Sequence, residues 1–145
     1  MKKSNLYLLA ILIVQALLVQ SCGLGEKKIR RRYVLENGTN REITVQMYWS
    51  GRFVTATSRT GSGQIIEGTV SDTKRYMLTA LEAFDTDSAV VTIGDRRQVY
   101  TYVAQTSPPR ILPTMRNILV DSAYTVVNDN LYRFTFTEQD YRNAR

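Results

Sequence analysis

The stretch SAVVTIGDRRQVYTYV, residues 88–103, decides the fold most clearly. Two runs rich in β-branched and aromatic residues, 88–93 and 98–103, lie on either side of the dipeptide Gly94-Asp95. Such runs favour strands, and a short glycine-containing turn is the usual connection within a β-hairpin. The stretch therefore predicts two antiparallel strands joined by a tight turn.

A second hairpin is predicted near the C-terminus. Residues 123–127 and 131–137 are its strands, and Asn128-Asp129-Asn130 is its turn. The second strand alternates its aromatic residues so that they share one face, namely Tyr132, Phe134 and Phe136. Thr137 and Asp140 have the spacing of a helix N-cap and its acidic N3 residue, which predicts a turn of helix over residues 140–144.

The N-terminal half carries similar but weaker signals. In residues 43–49, apolar and polar side chains alternate, so we expect a strand that buries Trp49 and leaves Tyr48 facing solvent. Residues 32–36 form another β-prone run, and the turn signal Asn37-Gly38-Thr39-Asn40 predicts a hairpin between the two. After the Ser50-Gly51 turn, further strands are predicted at 53–57 and 64–70, separated by a flexible loop, 59–63. The strand 64–70 is predicted at a sheet edge because Gly68 interrupts it.

Two segments depart from the strand pattern. Residues 76–84 (YMLTALEAF) have a helix-favouring composition within a β context, and helix, strand and loop all stay open. Residues 104–117 hold all three prolines of the chain, which predicts a loop because proline removes a ladder donor. Seven or eight short strands at this spacing predict an all-β fold, an antiparallel β-sandwich that is immunoglobulin-like or a partly open barrel.

The first 21 residues have the composition of an export signal. Lys2-Lys3 precede an apolar stretch, residues 6–19, that is shorter than the ~20 residues of a membrane-spanning helix. We expect a signal peptide at 1–21, a basic linker at 22–32 and one folded domain at 33–145. The linker has three readings: a tether whose cations lie on anionic head groups, a solvated spacer, or the start of the first strand.

The segment Leu18-Val19-Gln20-Ser21-Cys22 resembles the lipobox of bacterial lipoproteins. The resemblance implies lipid transfer to the Cys22 thiol, cleavage between Ser21 and Cys22, and acylation (palmitate) of the new amino group. The Ser-Cys form after Gln20 is similar to that of Bacteroidota lipoproteins. An uncleaved anchor helix and an ordinary signal peptide are the alternatives.

The C-terminal segment, residues 131–141 (LYRFTFTEQDY), is similar to the ending of many small Bacteroidota lipoproteins, a group mostly without an assigned function. After Cys22, Gly23-Leu24-Gly25 lacks the acidic residue of an inner-membrane retention signal and the acidic cluster of a surface-export signal. The resemblance thus implies attachment to the periplasmic face of the outer membrane.

The basic charge of the chain is confined to its N-terminus. Seven of the 19 Lys and Arg residues precede Tyr33, and from there on 12 basic residues balance 12 acidic ones. A nucleic-acid-binding domain carries its basic excess on the folded surface, so nucleic acid is not an expected partner.

The inventory of side chains excludes several chemistries. There is no histidine and one cysteine, which rules out an internal disulfide, histidine-based triads and the common zinc sites. We expect no metal, no cofactor and no enzymatic activity. Residues 85–88 (DTDS) as a calcium site are less favoured than a solvated turn. Glu138 and Asp140 as glycosidase acids are less favoured than helix N-terminal charges.

Function is predicted from location and surface. The tyrosines expected to face outward, Tyr48, Tyr100 and Tyr102, are the candidate interaction surface. The leading hypothesis is a lipid-anchored, non-enzymatic β module that contacts an envelope protein, as an accessory subunit of an outer-membrane assembly. The alternatives are a carbohydrate- or peptidoglycan-binding module and a hydrolase that uses carboxylates alone. The basic pair Arg96-Arg97 as a site for an anionic polymer is less favoured than a solvated hairpin tip.

Overall fold

The structure, a computed structural model, describes residues 28–72, 78–102 and 116–145. In these residues the chain forms eight strands, two short α-helices and a 3-10 turn at Asp121–Ala123. The strands are β1 Ile29–Asn37, β2 Glu42–Trp49, β3 Arg52–Thr60, β4 Gly63–Asp72, β5 Ser88–Ile93, β6 Arg96–Thr101, β7 Thr125–Asn128 and β8 Leu131–Phe136; the helices are α1 Ala80–Phe84 and α2 Glu138–Asn143. The predicted signal peptide, Cys22 and most of the predicted proline-rich loop lie outside the described residues. No helix within those residues has the length and apolarity needed to cross a bilayer.

The strands form two separate four-stranded sheets that pack as a sandwich. Sheet A has the order β4-β1-β8-β7, and sheet B has the order β3-β2-β5-β6. Neighbouring strands pair antiparallel except for β1 and β8, which run parallel. The predicted all-β sandwich of seven or eight strands is confirmed, and the two sheets do not close into one barrel.

The core lies between the sheets and follows the two-residue period of the strands. Tyr33 and Leu35 of β1, and Phe134 and Phe136 of β8, are fully buried. Sheet B contributes the facing set, Ile43, Val45, Met47, Ala89, Val91 and Ile93. Complete burial of one large apolar side chain contributes about 1.5–3 kcal/mol. The aromatic alternation predicted for β8 is thus confirmed as the inner face of sheet A.

Two predicted hairpins and the predicted Ser50-Gly51 turn are confirmed. Ser50-Gly51 connects β2 to β3, Gly94-Asp95 connects β5 to β6, and residues 129–130 connect β7 to β8. Gly94 has a φ of +59°, in the left-handed region that a tight turn uses and that glycine adopts without strain. These turns are local features, and local sequence signals predict them correctly.

The predicted hairpin between β1 and β2 is wrong. The turn exists, but β1 pairs with β4 and β8 while β2 pairs with β3 and β5, so residues 38–41 carry the chain from one sheet to the other. Asn37 fixes this crossing. Its buried amide donates to the carbonyls of Arg41 (2.7 Å) and Arg59 (3.1 Å), and its carbonyl accepts from the Thr39 N–H (2.8 Å).

A second crossing joins β3 to β4. The loop predicted at residues 59–63 is much shorter in the structure, because β3 extends to Thr60 and β4 begins at Gly63. Gly61 and Gly63 both have positive φ, +72° and +132°, which allows the chain to change sheets within two residues. Both crossings lie at one end of the sandwich, the crossover end. The opposite end, where β1 begins at Ile29, is called the open end.

The segment with no clear sequence signal contains a helix. Residues 80–84 form α1, with Thr79 as N-cap accepting a hydrogen bond from the Glu82 N–H (3.3 Å). The helix lies against β4 at Gly68, where a Cβ would stand 2.4 Å from the Ala83 carbonyl oxygen. The predicted edge position of this strand is confirmed, and the glycine serves close helix–strand packing.

The expected burial of Trp49 is wrong. Its side chain is 42% exposed. A bulge shifts the register between Met47 and Tyr48, and the pairing of β2 with β5 stops at Tyr48. Trp49 therefore extends past the neighbouring strand, onto the β2–β3 hairpin tip at the open end.

The basic stretch before Tyr33 is part of the folded domain. β1 begins at Ile29, so Arg30, Arg31 and Arg32 lie within the strand. Of the three readings of the linker, the start of the first strand is the one that the structure shows for residues 29–32. The linker between Cys22 and the domain is correspondingly shorter.

Candidate interaction surfaces

A buried polar cluster connects β1 to the segment before α1. The Tyr33 hydroxyl lies 2.7 Å from the Leu78 carbonyl oxygen and 3.0 Å from the Asp121 carboxylate, and Arg31 donates to the same carbonyl at 2.9 Å. The second carboxylate oxygen of Asp121 accepts from the Ala80 N–H at 2.9 Å. Burial, with the nearby Asp121 charge, holds the pKa of Tyr33 far above its usual value. The cluster stays protonated at Tyr33 and fixes α1 in place.

The candidate calcium loop, residues 85–88, is held by hydrogen bonds to the end of β2. Thr86 is fully buried, so the favoured reading of a solvated turn is also wrong for this residue. Its Oγ1 lies 2.7 Å from the Tyr48 carbonyl, and Asp87 accepts from the Ser50 N–H at 2.7 Å. Asp85 caps α1 in the left-handed conformation, with φ +49°. Within the described residues, no group of three or more His, Cys, Asp or Glu side chains is placed to hold a metal ion.

The two C-terminal acids hold helix α2. Asp140 accepts from the Thr137 N–H (2.7 Å) in a capping box and pairs with Arg116. Glu138 pairs with Arg41 at 3.3 Å. The predicted cap is correct, and the helix begins at Glu138, two residues earlier than predicted. The contacts favour the helix-terminal reading of these carboxylates over a glycosidase pair.

The basic hairpin tip is occupied by the C-terminus. The Tyr141 ring lies between the guanidinium groups of Arg41 and Arg96, 3.7 Å and 4.7 Å from the ring centroid. Its hydroxyl donates to Asp95 at 2.9 Å and lowers the pKa of that carboxyl. The backbone of Arg97 exchanges hydrogen bonds with that of Arg145 (2.7 and 3.1 Å). Arg96 is therefore engaged in holding the chain end.

The three candidate tyrosines do not form one surface. Tyr102 is 46% exposed, as predicted, and Tyr48 is half-buried against Phe53, with ring centroids 5.9 Å apart. Tyr100 is 5% exposed and belongs to the core, so its place in the candidate surface is wrong. It pairs with inward-facing Ala89, and β6 ends before Tyr102, so strand alternation does not tie these two tyrosines to one face.

The outer face of sheet B is almost uncharged. Strand register places twelve side chains on three outward rows, and Arg97 is the only charged one among them; a fourth outward row, at the crossover end, carries Glu42 opposite Thr60. This neutral face consists of Phe53, Tyr48, Ser88 and Thr101, then Ala56, Gln46, Val90 and Val99, then Ser58, Thr44, Thr92 and Arg97. Phe53 is 60% exposed and Val99 52%. Interface cores are depleted in charge in the same way.

The outer face of sheet A carries opposed charges. Arg32 donates twice to Glu67 (2.7 and 2.8 Å), which lowers the pKa of that carboxyl, and Arg133 lies 3.0 Å from Glu36. This charged face is defined by those two pairs together with Arg30. Near the open end it bears a shallow cleft of about 540 Å³, lined by Arg30, Arg32, Glu67, Asn128, Asn130 and Leu131.

Sequence reasoning missed Phe53 and Val99 as surface residues. Each has an apolar residue directly after it, Val54 and Tyr100, so the two-residue period does not say which of the two faces the core. The outward direction follows only from the register, which places Phe53 opposite Tyr48 and Val99 opposite Val90. No protein family, no curated protein and no solved structure matches the chain.

Proposed function

We propose that the chain is a bacterial envelope lipoprotein whose β-sandwich binds another protein through the neutral face of sheet B. Cleavage before Cys22 and acylation of that residue would attach the domain to a membrane without a spanning helix. The lipobox-like segment, residues 18–22, supports the anchor. The periplasmic leaflet of the outer membrane is the proposed location, supported by Gly23-Leu24-Gly25, which lacks an acidic sorting signal.

One observation carries the proposed contact. Twelve in-register side chains span all four strands of sheet B with a single charge among them. A monomer's outer sheet face is normally polar, and contiguous exposed apolar residues mark interaction sites. The exposed Phe53 and Val99 lie on this face, on its two edge strands β3 and β6, with Tyr48, Gln46 and Val90 of the central strands between them. Aromatic enrichment and charge depletion are the compositional features of an interface core.

We further propose that the protein acts by binding rather than by catalysis. The carboxylates that the sequence singled out are used structurally: Asp87 and Asp140 hold backbone N–H groups, and Glu138 pairs with an arginine. The buried hydroxyls of Tyr33 and Tyr124 lie on backbone carbonyls, each at 2.7 Å. These contacts support a scaffold role for groups that would otherwise be candidate acids.

Site-specific photo-crosslinking in the native host tests the contact. A photoreactive residue at Val99 should give one adduct of fixed mass, which depends on the acylated, membrane-bound form. The matched control is the same residue at Thr69, exposed on the outer face of sheet A, where no such adduct is expected. No adduct at position 99, or equal adducts at both positions, would reject the proposal.

A carbohydrate-binding role is the second candidate, because three exposed aromatic rings lie at the open end. These are Trp49, Phe53 and Tyr102, with the Asp87 carboxylate beside them. Glycan recognition combines such rings with polar groups. Binding to a glycan array that is lost in Tyr102→Ala and kept in Val99→Ser would favour this role over the protein contact.

A further inference from the structure

We infer that the open end of the sandwich lies on the lipid surface, with Trp49 and Tyr102 in the bilayer interface. This inference rests on the proposed lipid attachment at Cys22. It adds that the domain does not hang freely from its linker but lies against the membrane in one orientation.

The start of β1 and the tip of the β2–β3 hairpin lie at the same end. Segment 78–86 contacts both: Leu78 accepts hydrogen bonds from Arg31 and Tyr33 in β1, and Thr86 bonds to Tyr48 in β2. Both sheet crossings, 38–41 and 61–62, lie at the opposite end. The chain therefore enters the domain beside the hairpin tip that carries Trp49.

Two exposed rings are held together at this end. Trp49 is 42% exposed and Tyr102 46%. Asp87 connects the backbone segments that carry them. Its carboxylate accepts from the Ser50 N–H (2.7 Å), its own N–H donates to the Tyr48 carbonyl (3.0 Å), and its backbone carbonyl accepts from the Tyr102 N–H (2.8 Å). The rings thus project from one hydrogen-bonded scaffold rather than from independent loops.

The short tether keeps this end close to the membrane. Six residues lie between Cys22 and Ile29, the first residue of β1, which makes seven Cα-to-Cα steps. Even fully extended they reach at most about 25 Å, at ~3.6 Å per residue. A short linker raises the effective concentration of a second binding event into the millimolar range. A weak preference of the rings for the interface is then sufficient to orient the domain.

The chemistry of the end matches a bilayer interface rather than a purely electrostatic surface. Tryptophan and tyrosine are the residues enriched at the head-group level of membranes. Lys28, Arg30 and Arg52 are exposed here, but the acids Asp72, Asp87 and Asp129 lie at the same end. The charges largely balance, so the rings are expected to dominate and neutral lipid to be sufficient.

Trp49 is the only tryptophan of the chain and reports directly on this contact. The native acylated protein is reconstituted into phosphatidylcholine vesicles with or without brominated acyl chains, which quench fluorophores at bilayer depth. We expect emission at least twofold lower with brominated lipid, and a blue shift relative to the detergent-solubilised protein. The control is Trp49→Phe with Gln139→Trp, which moves the probe to exposed α2 at the crossover end and should not be quenched.

The outcomes separate the inference from the proposed function. Unquenched Trp49 in protein that carries acyl chains and floats with the vesicles overturns the inference and leaves the lipoprotein intact. Quenching that needs anionic lipid also overturns it, since the basic tether would then carry the contact. Native protein without acyl chains removes both. Reduced quenching in Tyr102→Ser, with an unchanged thermal midpoint, is the further expected result.

Discussion

The two outer faces of the sandwich differ in the number and pairing of their charged side chains. On sheet A, Arg32 pairs with Glu67 and Arg133 with Glu36, so the face is polar yet internally neutralised. On sheet B, the three outward rows of the neutral face carry one charge, Arg97, and expose Phe53 and Val99. The two sheets share one core through their inner faces, so folding does not require their outer faces to differ in charge. The proposed protein contact through sheet B rests on this difference.

The largest expected effect concerns the crossing that puts β1 and β2 in different sheets and so creates the two faces. Asn37→Ala leaves the partly buried carbonyls of Arg41 and Arg59 without the donor that the buried Asn37 amide supplies. Unsatisfied buried groups cost about 1–3 kcal/mol each, so we expect the free energy of unfolding to fall by ~3 kcal/mol. Chemical denaturation measures it. Asn40→Ala, exposed in the same turn, is the control and should change little.

The second effect follows from introducing a charge into the neutral face. Val99→Glu places an unpaired charge where a partner would bury it, so we expect crosslinking from position 92 on the same face to fall at least tenfold. Stability should stay within about 0.5 kcal/mol because the position is exposed. Thr69→Glu on sheet A is the matched charge and should leave crosslinking unchanged. Equal losses in both variants would contradict the distinction between the faces.

A smaller effect is expected on the charged face. Glu36→Gln removes the partner of Arg133, and exposed ion pairs contribute about 0.2–1 kcal/mol. Urea denaturation should show a loss in this range that shrinks at high salt, because salt screens exposed charges. Glu42→Gln, for which the structure shows no ion pair, serves as the control. A larger loss, or one that salt does not change, would mean that this pair acts through packing.

The smallest effect is a pH dependence. Hydrogen bonds from Arg32 lower the pKa of Glu67 in the folded protein. A depressed folded pKa stabilises the fold above the ordinary carboxyl value, about 4.3, and the contribution is lost as the pH falls through the folded value. We expect Glu67→Gln to lose less thermal stability than the wild type between pH 5 and pH 3, compared by calorimetry at about ten intermediate pH values. Identical acid profiles would contradict the assignment.

Sequence patterns predicted what is local in this fold. The alternation of Phe134 and Phe136, the Gly94-Asp95 turn and the Thr137 cap each depend on residues within a few positions, and each is confirmed. The turn after Asn37 was also recognised. Its partner strand was not, because a turn signal reports that the chain reverses and does not report which strand it then pairs with.

The surface was harder to predict than the core. The period of two separates residues into two sets, but the packing of sheet A on sheet B decides which set is inside. Val99 and Tyr100 are adjacent in the sequence and both can pack in a core. Tyr100 is the buried one because its cross-strand partner, Ala89, faces the core. Trp49 is exposed because β2 extends one residue beyond its pairing with β5, an ending that no local motif marks. Position along a strand is therefore predictable, and the choice of the outer face is not.

Attachment through lipid at Cys22 is the claim on which the location, the tether and the membrane contact depend. Intact-mass measurement of the protein purified from its native membranes tests it most directly. We expect the measured chain to begin at Cys22 and to be heavier than the mass of its sequence by two or more acyl groups. A chain that still carries residues 1–21, or one that begins at Cys22 with no added mass, would contradict it.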